Sequence, residues 1–244
     1  MLPLKTKVQY ILQKLLGFER YLRLFANFKI RTIKWDKKEN DFFTFLELLP
    51  SKGLVLDIGA NLGVMTHFIN QHGNHVWAIE PLKQNLQALY YAQRTFGWAN
   101  VIVWECAVGI ESGEVEMVIP EVDDVKKQGL SHVVHDSITE FNQGSRYKVP
   151  IHRVDEMVLK QDEPVVGIKL DVENFEYFAL VGAEETLKKY KPIIYTELWE
   201  NENRDKCFEF LKSLGYSCQV AENGVPVNYN PEVHHTQNFI FIPQ

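Results

Sequence analysis

The sequence is short of the features that mark secreted, membrane-spanning or metal-built proteins. It has only three cysteines, Cys106, Cys207 and Cys218. An odd number without metal-ligand spacing argues against a disulfide framework and a cysteine-built zinc site, and predicts reduced, structural thiols in a cytoplasmic protein. No apolar run reaches the roughly 18 residues that a membrane span requires. Lys14, Glu19, Arg20 and Arg23 interrupt the N-terminal apolar stretch and no small-residue cleavage site follows it, so no secretory leader is expected. There is no Gly-Lys-Ser/Thr to cradle a triphosphate and no evident internal repeat. The formal net charge is −6, and no basic–aromatic surface pattern accompanies it, which argues against nucleic acid as the main partner.

What charge there is of positive sign is crowded at one end. Basic residues from Lys5 to Lys38 far outnumber Glu19, Asp36 and Glu39, leaving the remainder strongly acidic. Val8, Ile11, Leu12, Leu15 and Leu16 recur at helical spacing with cations between them. This predicts a basic amphipathic helix, packed on the domain with its basic face in solvent, or lying peripherally on an anionic membrane or touching a phosphorylated substrate. With 244 residues and 45% apolar content, the chain can bury one good α/β core. The expected division is a basic helical extension over residues 1–50 and one domain over residues 51–244.

Within that domain, apolar runs alternate with helical periodicity. Strands are predicted at Leu54–Ile58, His75–Ile79, Val101–Val108, Glu114–Ile119, Val165–Leu170, Ile193–Glu197, Tyr216–Val220 and Asn238–Ile242. Helices are predicted between them, with Phe175–Lys189 broken near Gly182 and a last helix from Asp205 capped by Asn203. Glu121–Gly144 is polar and aperiodic, as expected of a binding loop or lid. The order reads as a doubly wound, mostly parallel seven-stranded sheet, Rossmann-like, with an antiparallel C-terminal hairpin.

The most informative stretch is Leu54-Val55-Leu56-Asp57-Ile58-Gly59-Ala60-Asn61-Leu62-Gly63, closed about twenty residues later by Glu80-Pro81. It reads as strand, tight turn and helix, with a second strand delivering an acid at its carboxyl end. In an open parallel sheet that arrangement makes a nucleoside site, the acid accepting hydrogen bonds from ribose hydroxyls. A dinucleotide fingerprint would need Gly-x-Gly-x-x-Gly, and the Gly59–Gly63 spacing does not supply it. Asp-x-Gly-x-Asn-x-Gly instead resembles motif I of the class I S-adenosylmethionine-dependent methyltransferases.

A second set of residues extends the likeness. Ala107-Val108-Gly109, Val154-Asp155-Glu156-Met157, Ile168-Lys169-Leu170-Asp171-Val172-Glu173-Asn174-Phe175-Glu176-Tyr177, Leu180-Val181-Gly182-Ala183, Lys191-Pro192-Ile193-Ile194 and Glu197-Leu198 follow in order. With the first motif, this ordered set resembles the FkbM family of methyltransferases over roughly Gly53 to Tyr216. The resemblance implies S-adenosylmethionine as cofactor and a class I methyltransferase fold. Asp57, Gly59, Asn61, Gly63 and Thr66 would form the cofactor turn, Glu80 the ribose contact, and Glu105 or Cys106 the adenine contact. One departure stands out: the family usually has Gly where this chain has Asn174. Asn tolerates a left-handed backbone better than other side chains, but its side chain would narrow the space beside Asp171.

Lys169, Asp171 and Glu173 alternate, so they share one face at the end of a buried strand. Asp171 falls where the fold approaches the transferred methyl group. Asp171, Glu173, and His132 or His135 in the polar segment are candidate bases for an attacking hydroxyl, with Lys169 beside the carboxylates. No ligand cluster compels a metal. The Trp199–Arg204 segment behind Glu197 suits a polyhydroxyl acceptor. The family resemblance, which favours oxygen over nitrogen as the acceptor atom, implies an O-methyltransferase acting on a glycan, glycolipid or secondary metabolite. The rivals are a nicotinamide-dependent oxidoreductase and an S-adenosylmethionine-binding adaptor without turnover.

Overall fold

The computed structural model describes residues 4–122 and 125–244. Its helices are α1 (Leu4–Leu16), α2 (Phe18–Thr32), α3 (Asn40–Leu48), α4 (Val64–His72), α5 (Lys83–Phe96), α6 (Val154–Val158), α7 (Glu176–Val181), α8 (Glu184–Tyr190) and α9 (Glu202–Ser213). Its strands are β1 (Leu54–Ile58), β2 (His75–Ile79), β3 (Val101–Trp104), β4 (Ala107–Val108), β5 (Gly113–Val122), β6 (Val125–Lys126), β7 (His132–Val133), β8 (Gly144–His152), β9 (Val165–Leu170), β10 (Ile193–Glu197), β11 (Tyr216–Glu222), β12 (Val225–Asn228) and β13 (Asn238–Pro243).

The main sheet runs β12-β11-β13-β10-β9-β1-β2-β3. The five strands from β10 to β3 are parallel, whereas β13, β11 and β12 pair antiparallel. Among the described residues the sheet is therefore mixed, parallel over five strands with an antiparallel C-terminal set, and it has eight strands rather than seven. The added strand is β12, hairpinned to β11 through Asn223 (φ 53°) and Gly224 (φ 81°), the two left-handed positions of a primed turn. Pro226 confines it to an edge, where a missing N–H costs no ladder bond.

Central strands are buried on both faces, as crossover helices on each side demand. Leu54, Leu56 and Ile58 of β1 pack with Ile168, Leu170, Leu180 and Leu187 on one face. Val55 faces the other way, into Phe42, Phe45, Ile69 and Val76. Asp57 is the exception, a fully buried acid in the middle of this apolar strand. The α7–α8 break falls at Gly182-Ala183, as expected. The last helix begins earlier than expected, at Glu202, because the Asn201 side chain rather than Asn203 caps it.

The polar 121–144 segment is not a bare loop. Residues 123 and 124 lie outside the described residues, but β6, a 3-10 turn at Gln128–Leu130 and β7 order the stretch against β5. With β4 and β8 they form a second sheet. The N-terminal helices divide in character. Tyr21, Leu22 and Ala26 of α2 pack on Leu62 and Ala88, and Phe42 and Phe45 of α3 pack on Tyr195. Among the described residues no helix is long and apolar enough to cross a membrane.

Candidate active site

The β1 turn is built from three left-handed residues, Gly59 (φ 74°), Asn61 (φ 51°) and Gly63 (φ 78°). A Cβ on Gly59 would overlap the carbonyl oxygen of Asp171, so only glycine lets this turn press against the end of β9. Behind it, Thr66 Oγ1 donates to Asp57 Oδ2. Neither Asp57 nor Thr66 reaches the surface of the crevice; both are fully buried. Asp57 acts instead through Lys169, whose Nζ lies 3.5 Å from Asp57 Oδ1 and 3.6 Å from Asp171 Oδ2 and donates to Gly59 O at 2.8 Å. Burial works against the ammonium, but Asp171 and Asp57 outweigh it and raise its pKa.

Glu80, at the carboxyl end of β2, closes the turn from the other side. Its Oε2 accepts from Asn61 N (2.9 Å), and its Oε1 accepts from Leu82 N (2.9 Å) and Asn85 Nδ2 (3.2 Å). Burial pushes its pKa up to about 7 against those three donors. Glu80, Gly59, Asn61, Cys106, Asp171 and Glu173 all line one crevice of about 580 Å³ at the carboxyl edge of the parallel strands. Glu105 does not: it is exposed and accepts from Tyr90 OH at 2.8 Å. The far wall comes from the second sheet, through Gln128, Gly129, Ser131 and Val133.

Among the described residues, the crevice lining contains three carboxylates, from Glu80, Asp171 and Glu173, and no lysine or arginine. It also contains hydrogen-bonding atoms left over by the fold: Asn61 Oδ1, Asn85 Oδ1 and Ser131 Oγ are buried without a partner. A buried polar atom without a partner costs stability unless something else satisfies it. Asp171 also borders two neighbouring cavities. One, of about 670 Å³, is bounded by Phe25, Lys29, Ile33, Glu39 and Lys169. The other, of about 920 Å³, is bounded by Glu39, Lys169, Tyr195 and Glu197, and shares Glu197 and Asn238 with a broad polar groove carrying Arg204, Tyr229 and His234. A ligand in the first crevice and one reaching from the groove through the second cavity would meet at Asp171.

That junction is crowded with negative charge. Glu173 sits at φ 54° directly beyond β9, and its pKa is raised by burial and by Asp171, Glu197 and Glu176. Burial, then Asp171, pushes Glu197 up to about 7. Burial raises Glu39 as well, against the opposing charge of Lys29. Glu176 Oε1 accepts from Val172 N and Asn174 N at 2.9 and 3.2 Å, and burial pushes the pKa of its carboxyl up to about 8. Asn174 does adopt the left-handed backbone (φ 73°). Its side chain does not turn into the space beside Asp171 but bonds outward: Oδ1 accepts from Asn201 Nδ2 at 2.9 Å and Asn203 Nδ2 at 3.3 Å. The departure from glycine thus fastens the β9 turn to the start of α9.

The histidines fall elsewhere. His132 is buried in β7, its ring held between Leu130 O (2.9 Å) and Asn142 Oδ1 (3.1 Å), and lines none of the cavities around Asp171. His135 is exposed and rests on Phe178. Glu39, Gln128 and Ser131 reach the site without any local motif to announce them. Glu197, which the sequence places at the acceptor rim, borders the groove and the cavity beside Asp171, and it ends a parallel strand on the ligand-binding edge just as Glu80 does. Among the described residues, no group of three or more His, Cys, Asp or Glu is placed to hold a metal ion.

The chain is similar to several solved methyltransferases. The methyltransferase FkbM of Methylobacillus flagellatus KT is 17% identical, with a TM-score of 0.54 over 80% of this chain and 45% of that one, so the chain spans less than half of that protein's length. A putative rRNA-methylase from Clostridium thermocellum is 9% identical, covering 81% of this chain and 89% of that one at a TM-score of 0.49. A putative methyltransferase from Streptococcus mutans, solved in complex with SAH, is 12% identical, covering 82% and 92% at 0.48. No curated protein sequence matches significantly. The fold is the α/β fold of the class I methyltransferases. The chain belongs to the FkbM methyltransferase family, whose methyltransferase FkbM domain matches residues 57–218.

Proposed function

We propose that this protein transfers the methyl group of S-adenosylmethionine to a hydroxyl of a glycan, glycolipid or secondary-metabolite acceptor. The observation that carries the reading is the crevice lining, which has unpartnered neutral acceptors and three carboxylates but no cation. A pyrophosphate calls for lysine, arginine or a helix N-terminus pointed at it. A nucleoside that bears a sulfonium needs none of these and is favoured by negative surroundings.

The residues present fit that cofactor. Glu80 would hold the ribose hydroxyls, the wall at Cys106 and Leu82 the base, and Asp171 the ammonium of the amino-acid end, with Lys169 steadying Asp171 from behind and Asp57 and Thr66 fixing Lys169 in turn. The sulfonium supplies an electrophilic methyl group for an in-line displacement. The protein's share is then to align the acceptor hydroxyl and remove its proton. Glu197 is the candidate base. It borders both the Asp171 cavity and the groove, and its raised pKa makes it a better proton acceptor than an ordinary carboxylate. Lys169 neutralises Asp171 beside it, which keeps two adjacent carboxylates tolerable. The same reading places the protein in the cytoplasm, where three unpaired thiols stay reduced.

Isothermal titration calorimetry tests the cofactor. S-adenosylhomocysteine should bind, at least about tenfold more weakly in Glu80→Ala. Binding of NADH with no affinity for S-adenosylhomocysteine would falsify the reading. For the acceptor, labelled methyl groups should enter polysaccharide or lipid extracts and be recovered as O-methyl derivatives by mass spectrometry. Label found only in protein or RNA would overturn the hydroxyl acceptor while leaving the cofactor assignment intact.

A further inference from the structure

We infer that the outer face of α1 and α2 is a docking surface for the headgroup region of an anionic phospholipid bilayer. Positions 20, 24, 28, 31 and 35 follow one another by three or four residues, so they lie along one stripe of α2 and the 3-10 turn that continues it. They are Arg20, Leu24, Phe28, Arg31 and Trp35, and all five are exposed. The apolar members are far from marginal: Leu24 is 58% exposed, Phe28 60% and Trp35 80%. On α1, Val8, Ile11, Leu12 and Leu15 form a second exposed stripe, with Lys7 and Lys14 exposed beside it. Gln9 and Gln13 are the α1 residues that bond inward, to Lys127 and Lys126.

Large apolar side chains left in water at helical spacing require an explanation, and the partner is named by charge complementarity. Residues 1–38 hold ten Lys and Arg against Glu19 and Asp36 alone, whereas the remaining chain holds 16 Lys and Arg against 30 Asp and Glu. The cations sit between the exposed apolar side chains, the pattern that lets a helix rest at a lipid interface with Trp and Phe among the acyl carbonyls and Arg and Lys among the phosphates. The acidic remainder of the protein is repelled by the same surface, so only this end approaches it and the orientation is set. The opposite side of α2 carries Phe25, Lys29 and Ile33, which bound the cavity beside Asp171. Docking would therefore hold that cavity one helix thickness from the bilayer. The inference does not depend on methyl transfer, and it holds for any activity of this site.

The test is co-sedimentation of the full chain with vesicles of phosphatidylcholine alone, or of phosphatidylcholine containing about one-third phosphatidylserine. Binding is expected to the second and not the first. Each surface cation multiplies partitioning onto anionic lipid roughly fivefold, so Arg20→Gln with Arg31→Gln should lower it roughly 25-fold. Phe28→Ser with Trp35→Ser should lower it at least about tenfold by removing the apolar anchors. Because all four side chains are exposed, circular dichroism and S-adenosylhomocysteine titration should be unchanged in both variants. Equal sedimentation with both kinds of vesicle, or none with either, overturns the inference. So does binding that is indifferent to both double variants. A dimer in sedimentation equilibrium that Trp35→Ser dissociates also overturns it, and assigns the face to a second copy of the chain.

Discussion

Gly59 lies against the main-chain carbonyl of Asp171 with no room for a Cβ atom between them. The contact joins the end of β1 to the end of β9, and Asp171 is where the crevice meets the cavity that leads to the polar groove. Gly59→Ala must either push β9 aside or pull the turn away, and it also forces a side chain into a left-handed backbone. We expect a loss of about 2–4 kcal/mol from steric overlap and backbone strain together. S-adenosylhomocysteine binding should fall below detection. Urea denaturation and calorimetry measure the two effects separately, and unchanged values for both would remove this contact from the account.

Lys169 is buried between two carboxylates and a carbonyl, so removing its charge leaves Asp57 without an opposite charge in the core of the sheet. Lys169→Met should cost about 3–5 kcal/mol, the range for breaking a buried pair on one side. The double variant Lys169→Met with Asp57→Asn should recover part of that loss, since the stranded charge is then gone too. A double-mutant cycle in chemical denaturation checks the coupling, and strict additivity would argue against it.

If Glu197 takes the acceptor proton, it must be ionised to work. Activity should then rise as pH increases through about 7 and level off above it. Glu197→Gln should lower kcat by roughly 10²–10⁴ and abolish that limb, with KM for the cofactor little changed. Asp171→Asn should move the limb to lower pH in the Glu197-containing enzyme, because the Asp171 charge helps to hold Glu197 up. A limb that persists in Glu197→Gln assigns the proton to another group.

Asn174 serves both its own backbone and the α9 cap. Asn174→Gly keeps the left-handed turn and loses only the bonds to Asn201 and Asn203, a cost of about 1–2 kcal/mol. Asn174→Ala loses those bonds and strains φ as well, and should cost about 1 kcal/mol more. Thermal denaturation should therefore rank wild type above Gly above Ala. An alanine variant as stable as the glycine variant would mean that the turn relaxes.

The parts of the site that could be read from sequence are those that lie within one strand and its following turn. Gly59, Asn61, Gly63 and Glu80 converge because a parallel sheet puts consecutive carboxyl ends on one edge, a relation fixed by short-range spacing. The Lys169–Asp171 pair follows the same logic. His132 lies away from the crevice because β7 folds back on β5, a pairing that the polar composition of 121–144 does not disclose. Glu105 is turned to Tyr90, on a helix formed earlier in the chain, rather than into the crevice. Glu39 and Ser131 come to the site from opposite ends of the fold, through tertiary packing with no local signature. β12 escaped notice for the opposite reason: its four residues and internal proline look like a loop, and only the Asn223-Gly224 turn marks it as half of a hairpin.

The paired amide contacts of Gln13 reach further than their size suggests. Gln13 Nε2 donates to Lys126 O while its Oε1 accepts from Lys126 N, and only two residues beyond Lys126 the chain reaches Gln128 and Gly129 in the far wall of the crevice. An event that quiets α1 therefore quiets that wall too, and by thermodynamic reciprocity a filled crevice must steady α1 in return. Amide hydrogen exchange over residues 7–16, slowed by S-adenosylhomocysteine in wild type and not in Gln13→Ala, would register that two-way traffic between the protein's outermost helix and its innermost ligand.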